Sequence, residues 1–480
     1  MPHRVVVTVV TALLTGVLAA LLAAPRPPHL GRATTGDAAL AADLRAAAGD
    51  PDGYRGLAVA LIGPGGVRTA GIGDRGDGTP VTADTPFEIG SIVKTFTGML
   101  LADSSVEPDE RLRALVPSIG GPTGDVTVAE LASHRAGLRS VPIGSAGQAA
   151  RLWSARVSGA DPYRRQHRGW LLHTAAGQRP GDAGTVHYSN FGVAVLGQAL
   201  AERAGVPYQD LLRRRLLDPL GMAATTVNPD GTALPAGRAT GGTAAGREVD
   251  PWRGEGWAPA GIGVWSTAAD LARLVTAVQA GTAPGIDALT PRFDTGDGGE
   301  RIGYGWFTTR YGGTALTWHN GGTGGFRSFL AVDRATGRGV VVLGNTDRDV
   351  DPIGRRLLGV TPSGATGPER TPLAVLLAVG LSFLGAAGLL ITARSRTDRV
   401  RLATSMVWAV VMPLLAHRAG DWLAVPGLVW ALGVAASAAV LCVAVPRWRD
   451  LPLVAGRPWW RWTAAAFSGA AAVAAVLLVM

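Results

Sequence analysis

Four apolar stretches in the last 110 residues limit what this chain can fold into more than any other feature. Residues 373–393, 422–445 and 462–480 hold 21, 24 and 19 residues without a charge. Each is long enough to cross ~30 Å of hydrocarbon at ~1.5 Å per helical residue. Residues 402–417 are the weak stretch, 16 residues with Pro413 inside, a length that also suits a re-entrant or interfacial segment. Loop charges favour a crossing there. Arg394, Arg396, Arg399 and Arg401 fill the first connection, and Arg447, Arg449, Arg457 and Arg461 the third, while the second has Arg418 offset by Asp421. Four spans put both Arg-rich connections on one side, as the positive-inside rule requires, and place the chain before them outside the cytoplasm. Trp459, Trp460 and Trp462 then sit at interface depth.

The basic surplus belongs to these segments. Of the net charge of +9, residues 371–480 carry nine Arg against three acids, and residues 1–30 add two Arg and no acid, so the middle is nearly neutral. A nucleic-acid footprint would be a basic face on a folded domain, so that class is excluded. The membrane runs contain no charge that would mark an ion path, which argues against a transporter and for an anchor or a partner-contact region. The one cysteine, Cys442, lies in an apolar run, so no intramolecular disulfide forms. No Cys/His cluster has metal-ligand spacing.

Residues 5–24 form a further uncharged apolar run behind His3 and Arg4, which reads as a signal peptide or a signal anchor. Leu22 stands two positions before Ala24, a poor small-x-small cleavage site, which favours an uncleaved anchor slightly. Three regions follow: 1–30, an extracytoplasmic domain over 31–365, and four membrane helices within 366–480. In the domain, residues 56–73 read as a hairpin turning at Pro64-Gly65-Gly66, residues 125–285 show helical spacing, and residues 315–345 return to strands. Strands at both ends of a helical middle predict an α+β domain with one antiparallel sheet built from the two chain ends, beside a helical lobe.

The chain contains 45 Lys plus Arg but a single lysine, Lys94. It is either a leftover of an arginine-rich composition or a residue kept because arginine cannot release its proton. Ser91 lies three residues earlier, so on a helix hydroxyl and amine share a face. Residues 186–200, "VHYSNFGVAVLGQAL", place Tyr188-Ser189-Asn190 before an apolar helix. Tyr188 is a candidate proton relay whose phenolate a nearby Lys94 would favour, and Asn190 a candidate to hold Lys94 and a substrate amide. The plainer alternative is a buried tyrosine beside an N-cap. Residues 317–330, "TWHNGGTGGFRSFL", end a strand at His319-Asn320-Gly321-Gly322. That is either a glycine-rich turn with an exposed His or a strand edge on which an extended substrate pairs. Its N–H and that of Ser91, at a helix start, would hold an oxyanion.

Taken together, Ser-x-x-Lys, Tyr-x-Asn and His-x-Gly in this order resemble the penicillin-recognising serine hydrolases, specifically the class C β-lactamase and D-alanyl-D-alanine carboxypeptidase family. "VTVAELASHRAGL" (126–138), "LLDPLGMAATT" (216–226) and "GIGVWSTAADLARLV" (261–275) are similar to other landmarks of the family. The resemblance covers roughly residues 40–350. It implies a β-lactamase/transpeptidase-like fold, with Ser91 the acylated nucleophile, Lys94 its proton partner, Tyr188 the general base and acid, and Asn190 its neighbour. His319 and Gly321 form the third element, and the N–H groups of Ser91 and Gly322 the oxyanion hole. No metal or organic cofactor is implied. β-Lactamases of this family usually present a Lys where His319 stands, and a Thr or Ser where Asn320 stands. His319 is expected to act as a weaker, pH-dependent cation, resembling the peptidase and esterase branches. His134 and His187 are expected to be structural and loop residues.

The expected function is a membrane-tethered serine hydrolase acting on D-amino-acid peptide, ester or β-lactam carbonyls. The alternative is an acylable binding module that senses cell-wall fragments or β-lactams.

Overall fold

The computed structural model describes the chain except residue 1 and residues 143–146, 148–150, 152–153, 156–157, 229–231, 361–371, 456–457 and 480. The domain boundary expected near residue 365 falls outside the described residues. An N-terminal helix α1 (Pro2–Leu22) leads to β1 (Thr34–Gly36), α2 (Ala38–Ala48), β2 (Gly56–Gly63) and β3 (Gly66–Gly73). Helices α3 (Val93–Ala102), α4 (Asn190–Ala204) and α5 (Ala268–Ala280) follow, with shorter turns between them. The chain then returns to strands: β4 (Phe293–Asp294), β5 (Arg301–Ile302), β6 (Phe307–Tyr311), β7 (Thr314–Gly322), β8 (Arg327–Asp333) and β9 (Arg338–Gly344), followed by α6 (Asp351–Leu357).

These strands form one nine-stranded sheet in the order β1-β3-β2-β9-β8-β7-β6-β5-β4. The pairs are antiparallel, and β9 joins the two chain ends by pairing with β2 from Gly339↔Ile62 to Gly344↔Leu57. Pro64 and Gly65 close the β2–β3 hairpin between the paired Gly63 and Gly66, where the sequence places the turn. The expected α+β architecture, one antiparallel sheet from both ends beside a helical lobe, is present.

Both faces of the sheet are covered, which explains its continuous apolar runs. Along β9, Val340 and Val342 pack with α2 and α6, while Val341 and Leu343 pack on the other face with α5 and the helical lobe. Burying each such side chain contributes roughly 1.5–3 kcal/mol. Helix α3 lies inside the lobe, and every residue from Val93 to Leu101 is buried. A helix that is buried on all sides gives its one lysine no surface to reach.

Beyond residue 371 come α7 (Pro372–Arg394), α8 (Arg399–Ala419), α9 (Gly427–Arg447) and α10 (Pro458–Val479). Three of them, counted within 375–394, 399–419 and 427–450, are long and apolar enough to cross a membrane by length and composition. Helix α8 exceeds the 16-residue stretch seen in sequence because it runs on through its flanking arginines. Asp398 caps it by accepting the Arg401 N–H. Pro413 sits inside it, and the carbonyl of Pro413 accepts the Trp430 indole N–H at 2.7 Å. Helix α1 packs against α9, close enough that a Cβ on Gly16 would lie 2.9 Å from that of Ala435. The α+β domain touches this bundle near the α8–α9 connection, where the Arg247 guanidinium donates to the carbonyl of Arg418 at 3.4 Å.

Candidate active site

Ser91 lies in a short 3-10 turn, Gly90–Ile92, that feeds α3. Gly90 has φ +51, a left-handed backbone that favours glycine, and a Cβ there would meet the Gly322 nitrogen at 2.7 Å. The turn therefore packs backbone to backbone against the end of β7. From the other side Gly261, at φ +111, approaches so closely that a Cβ would lie 2.0 Å from the carbonyl oxygen of Gly90. On β8, the Ser328 hydroxyl donates to the carbonyl of Ile89 at 2.7 Å. The Ser91 turn is thus held between the β7–β8 hairpin and the Gly261 segment, both far from it in sequence.

In the first turn of α3, the Lys94 Nζ is 2.6 Å from Ser91 Oγ and 2.9 Å from the carbonyl of Ala260. Lys94 is wholly buried and has no carboxylate partner among the described residues. Burial therefore pushes its ammonium well below the usual range, toward the neutral amine.

Tyr188 stands over this pair, with Lys94 Nζ 5.0 Å from its ring centroid and its phenol facing the Ser91 hydroxyl. Although 41 % exposed to the cleft, the phenol is pushed up from its ordinary value by the protein around it, with the Ser91 hydroxyl pulling the other way. The phenolate expected from sequence is not what these surroundings favour; they hold the phenol protonated.

Asn190 opens α4, and its backbone N–H and side-chain amide both donate to the Ser140 hydroxyl, at 3.1 and 3.0 Å. Among the described residues no hydrogen bond joins it to Lys94, contrary to the expected contact.

His319 also departs from expectation. It is wholly buried, and desolvation lowers it to about 3; Lys94 acts in the same direction whenever its amine is protonated, against a weaker opposing hydrogen bond to Asn320. It is a neutral imidazole across the ordinary pH range rather than a pH-dependent cation. Its Nδ1 lies 2.5 Å from the carbonyl of Asn320, so Nδ1 carries the proton. Asn320 points to the opposite face of the sheet, where its amide donates to Asp351 at 2.8 Å.

The remaining element is an open strand edge. β7 pairs with β8 as far as Gly322 but with β6 only from Thr314 to Trp318. Residues 319–322 therefore leave one edge unpaired beside Ser91, a place where an extended chain can add main-chain hydrogen bonds. Among the described residues no group of three or more His, Cys, Asp or Glu is placed to hold a metal ion.

One residue matters more than its sequence context suggests. His134, at φ +59, is 2 % exposed and holds both neighbours of Tyr188. Its carbonyl accepts the His187 N–H at 2.8 Å, and its Nδ1 accepts the Ser189 N–H at 3.2 Å. Its ring lies 4.6 Å from that of Tyr188. Burial, Lys94 and His319 push His134 well down, so it too is neutral, with its proton on Nε2. The only hint in sequence was its place in "SHRAGL". His187 is exposed in a loop, as expected.

Comparison with known proteins identifies the fold. A class C beta-lactamase superposes with a TM-score of 0.54 at 21 % identity, covering 65 % of this chain and 92 % of that one. The beta-lactamase/D-alanine carboxypeptidase of Pseudomonas syringae superposes with a TM-score of 0.56 at 23 % identity, covering 67 % of this chain and 99 % of that one. At such identity the likeness establishes the fold. In sequence, the chain is 25 % identical to a beta-lactamase of Providencia stuartii over 178 residues, 36 % of this chain and 42 % of the relative. It is 29 % identical over 157 residues to the D-alanyl-D-alanine-carboxypeptidase/endopeptidase AmpH of Escherichia coli (strain K12), 30 % of this chain and 38 % of the relative. The chain thus matches about two-fifths of the length of these curated relatives. The beta-lactamase family model matches residues 42–360, most of the chain, and on that match the protein belongs to the beta-lactamase family.

Proposed function

We propose that the protein is a membrane-tethered serine hydrolase that works outside the cytoplasm through an acyl-enzyme at Ser91. The observation that carries this reading is the 2.6 Å approach of a buried, carboxylate-free Lys94 amine to the Ser91 hydroxyl. A neutral amine there accepts the hydroxyl proton as Ser91 Oγ attacks a carbonyl carbon. The N–H groups of Ser91 and Gly322 receive the developing oxyanion, and the free edge of residues 319–322 aligns the acyl donor. The Tyr188 phenol protonates the leaving group and is reprotonated from Lys94, which returns both to their starting forms. In deacylation, water gives its proton to Lys94 and Ser91 Oγ recovers it. Tyr188 thus serves first as the acid and Lys94 as the base, a sharper division than sequence suggested.

The substrate class is D-amino-acid peptides and small esters. With His319 neutral and Asn320 engaged by Asp351, the strand lacks the cation that would draw in a β-lactam carboxylate. Relatives named as carboxypeptidases support the peptide assignment.

The membrane arrangement is part of the same proposal. A 21-residue helix such as α8 spans ~31 Å, so the connections at its two ends lie on opposite sides. The Arg-poor connection abuts the hydrolase domain, and the Arg-rich connections lie at the far end. The positive-inside rule then places α7–α10 as four spans with the hydrolase domain outside. Helix α1, packed on α9, is retained as a further anchor.

The test is to incubate the full-length protein and Ser91→Ala with a chromogenic β-lactam, a p-nitrophenyl ester and a D-Ala-D-Ala peptide, following protein mass and product together. A serine-dependent adduct that turns over on the peptide or ester supports the proposal. A persistent adduct indicates an acylable sensor, and indistinguishable behaviour of the two proteins on all three substrates overturns it.

A further inference from the structure

Helices α7, α8 and α10 do not close on one another along their whole length. Between them lies a cavity of about 560 Å³, far from Ser91, whose lining changes character from one end to the other. Arg401 in the first turn of α8 and Arg461 in the first turn of α10 form one end. This is the side of the Arg-rich connections. The carboxylate nearest to them, Asp398, is fully engaged: it accepts the N–H of Arg401 at 2.8 Å and of Ala455 at 3.2 Å, and pairs with Arg461 at 3.4 Å. Arg401 has no acidic partner among the described residues, so this end carries a net positive charge.

Deeper in, the polar groups of the wall satisfy one another. The Trp408 indole donates to Ser468 at 2.7 Å, and Thr392 and Ser405 share a hydrogen bond at 3.0 Å. What they leave facing the cavity is apolar. The gap is open at Gly388, where a Cβ would meet nothing within 4 Å. It closes at Gly385, one turn away on α7, where a Cβ would lie 2.5 Å from the carbonyl of Trp408. From Arg401 to Met412 the lining of α8 runs ~16 Å, about half the thickness of a hydrocarbon core.

A cationic mouth at interface depth above an apolar slot one leaflet deep matches one kind of molecule. We propose that this groove binds an anionic phospholipid from the leaflet facing the Arg-rich connections, its phosphate at Arg401 and Arg461 and one acyl chain along Gly388. The proposal rests on the membrane reading above.

The test uses the full chain, purified in detergent and incubated with phosphatidylglycerol or phosphatidylcholine, with retained lipid read by native mass spectrometry. Wild type is expected to retain one phosphatidylglycerol at a concentration about fivefold lower than phosphatidylcholine requires, the weight of one arginine at a charged surface. Arg401→Gln should remove that preference. Gly388→Leu, which fills open space without a clash, should abolish retention of both lipids while ester turnover and helix content stay unchanged. Equal retention of the two lipids by wild type overturns the proposal, as does wild-type retention by both variants. Alkaline carbonate extraction of the cell membranes separates the two levels. A chain that is extracted fails the membrane reading and the lipid site with it. One that stays in the membrane but shows no lipid preference fails the lipid site alone.

Discussion

Lys94 and His319 both lie beside Tyr188, both are wholly buried, and burial takes the charge from both. The consequences are opposite. A lysine stripped of its proton can accept one from the serine 2.6 Å away, so desolvation supplies the base that the proposed mechanism needs. A histidine stripped of its proton can no longer hold an anion, so the same desolvation removes the role a cation would have at that position. On the proposed mechanism, the same low-polarity surroundings favour attack by Ser91 and disfavour acyl donors that depend on a carboxylate contact.

The largest expected effect tests the lysine side. Lys94→Arg keeps the charge and abolishes the base, and should lower kcat/KM for the ester by about 10²–10⁴ in stopped-flow acylation assays. In wild type the same rate should rise with pH through the lowered pKa of Lys94, because only the neutral amine accepts the proton. A flat or falling profile would break the comparison.

Next comes the histidine side. His319→Lys should raise kcat/KM for a carboxylate-bearing β-lactam relative to a neutral ester by about tenfold, the weight of one charge-assisted hydrogen bond. A ratio unchanged from wild type would show that the substrate carboxylate lies elsewhere. His134→Ala should cost up to about tenfold in kcat with little change in KM, because His134 sets the position of Tyr188 rather than touching substrate. Equal loss in both parameters, with lowered thermal stability, would reduce His134 to a packing residue.

The smallest effect concerns a third buried group, three residues before Ser91 in the chain. Glu88 is 2 % exposed and accepts the Trp252 N–H at 2.8 Å. Burial pushes its carboxyl up from 4.5 to about 8. Between those values the folded chain keeps a proton that the unfolded chain has released, so stability falls as pH rises across that window and levels off above it. Glu88→Gln should flatten this slope, bringing the Tm at pH 8 about 2–4 °C closer to its value at pH 5 in differential scanning fluorimetry.

Several of these features are legible in the amino-acid sequence. The lone lysine, its i,i+3 serine and the apolar run behind them specify a buried helix with both groups on one face. The turn at Pro64-Gly65-Gly66 and the apolar runs of residues 339–344 mark the sheet. Other features were hidden. Asn190 looked like a partner for Lys94, yet its amide goes to Ser140, a residue 50 positions away with no pattern of its own. The 16-residue stretch over 402–417 looked weak, and only the loop charges favoured a crossing, because counting apolar residues stops at a charge, whereas a capped helix continues through it.

Local chemistry and periodicity, which act between near neighbours, marked the Ser91–Lys94 pair, the α+β class and the long apolar helices from the sequence alone. The tertiary structure decided the charge of each group in the cleft. A pKa depends on how much water and which charges surround a side chain, and those neighbours come from segments far apart along the chain. Burial is therefore what pushes Lys94 toward the neutral amine and leaves His319 a neutral imidazole, while contacts across the fold set His134 against Tyr188.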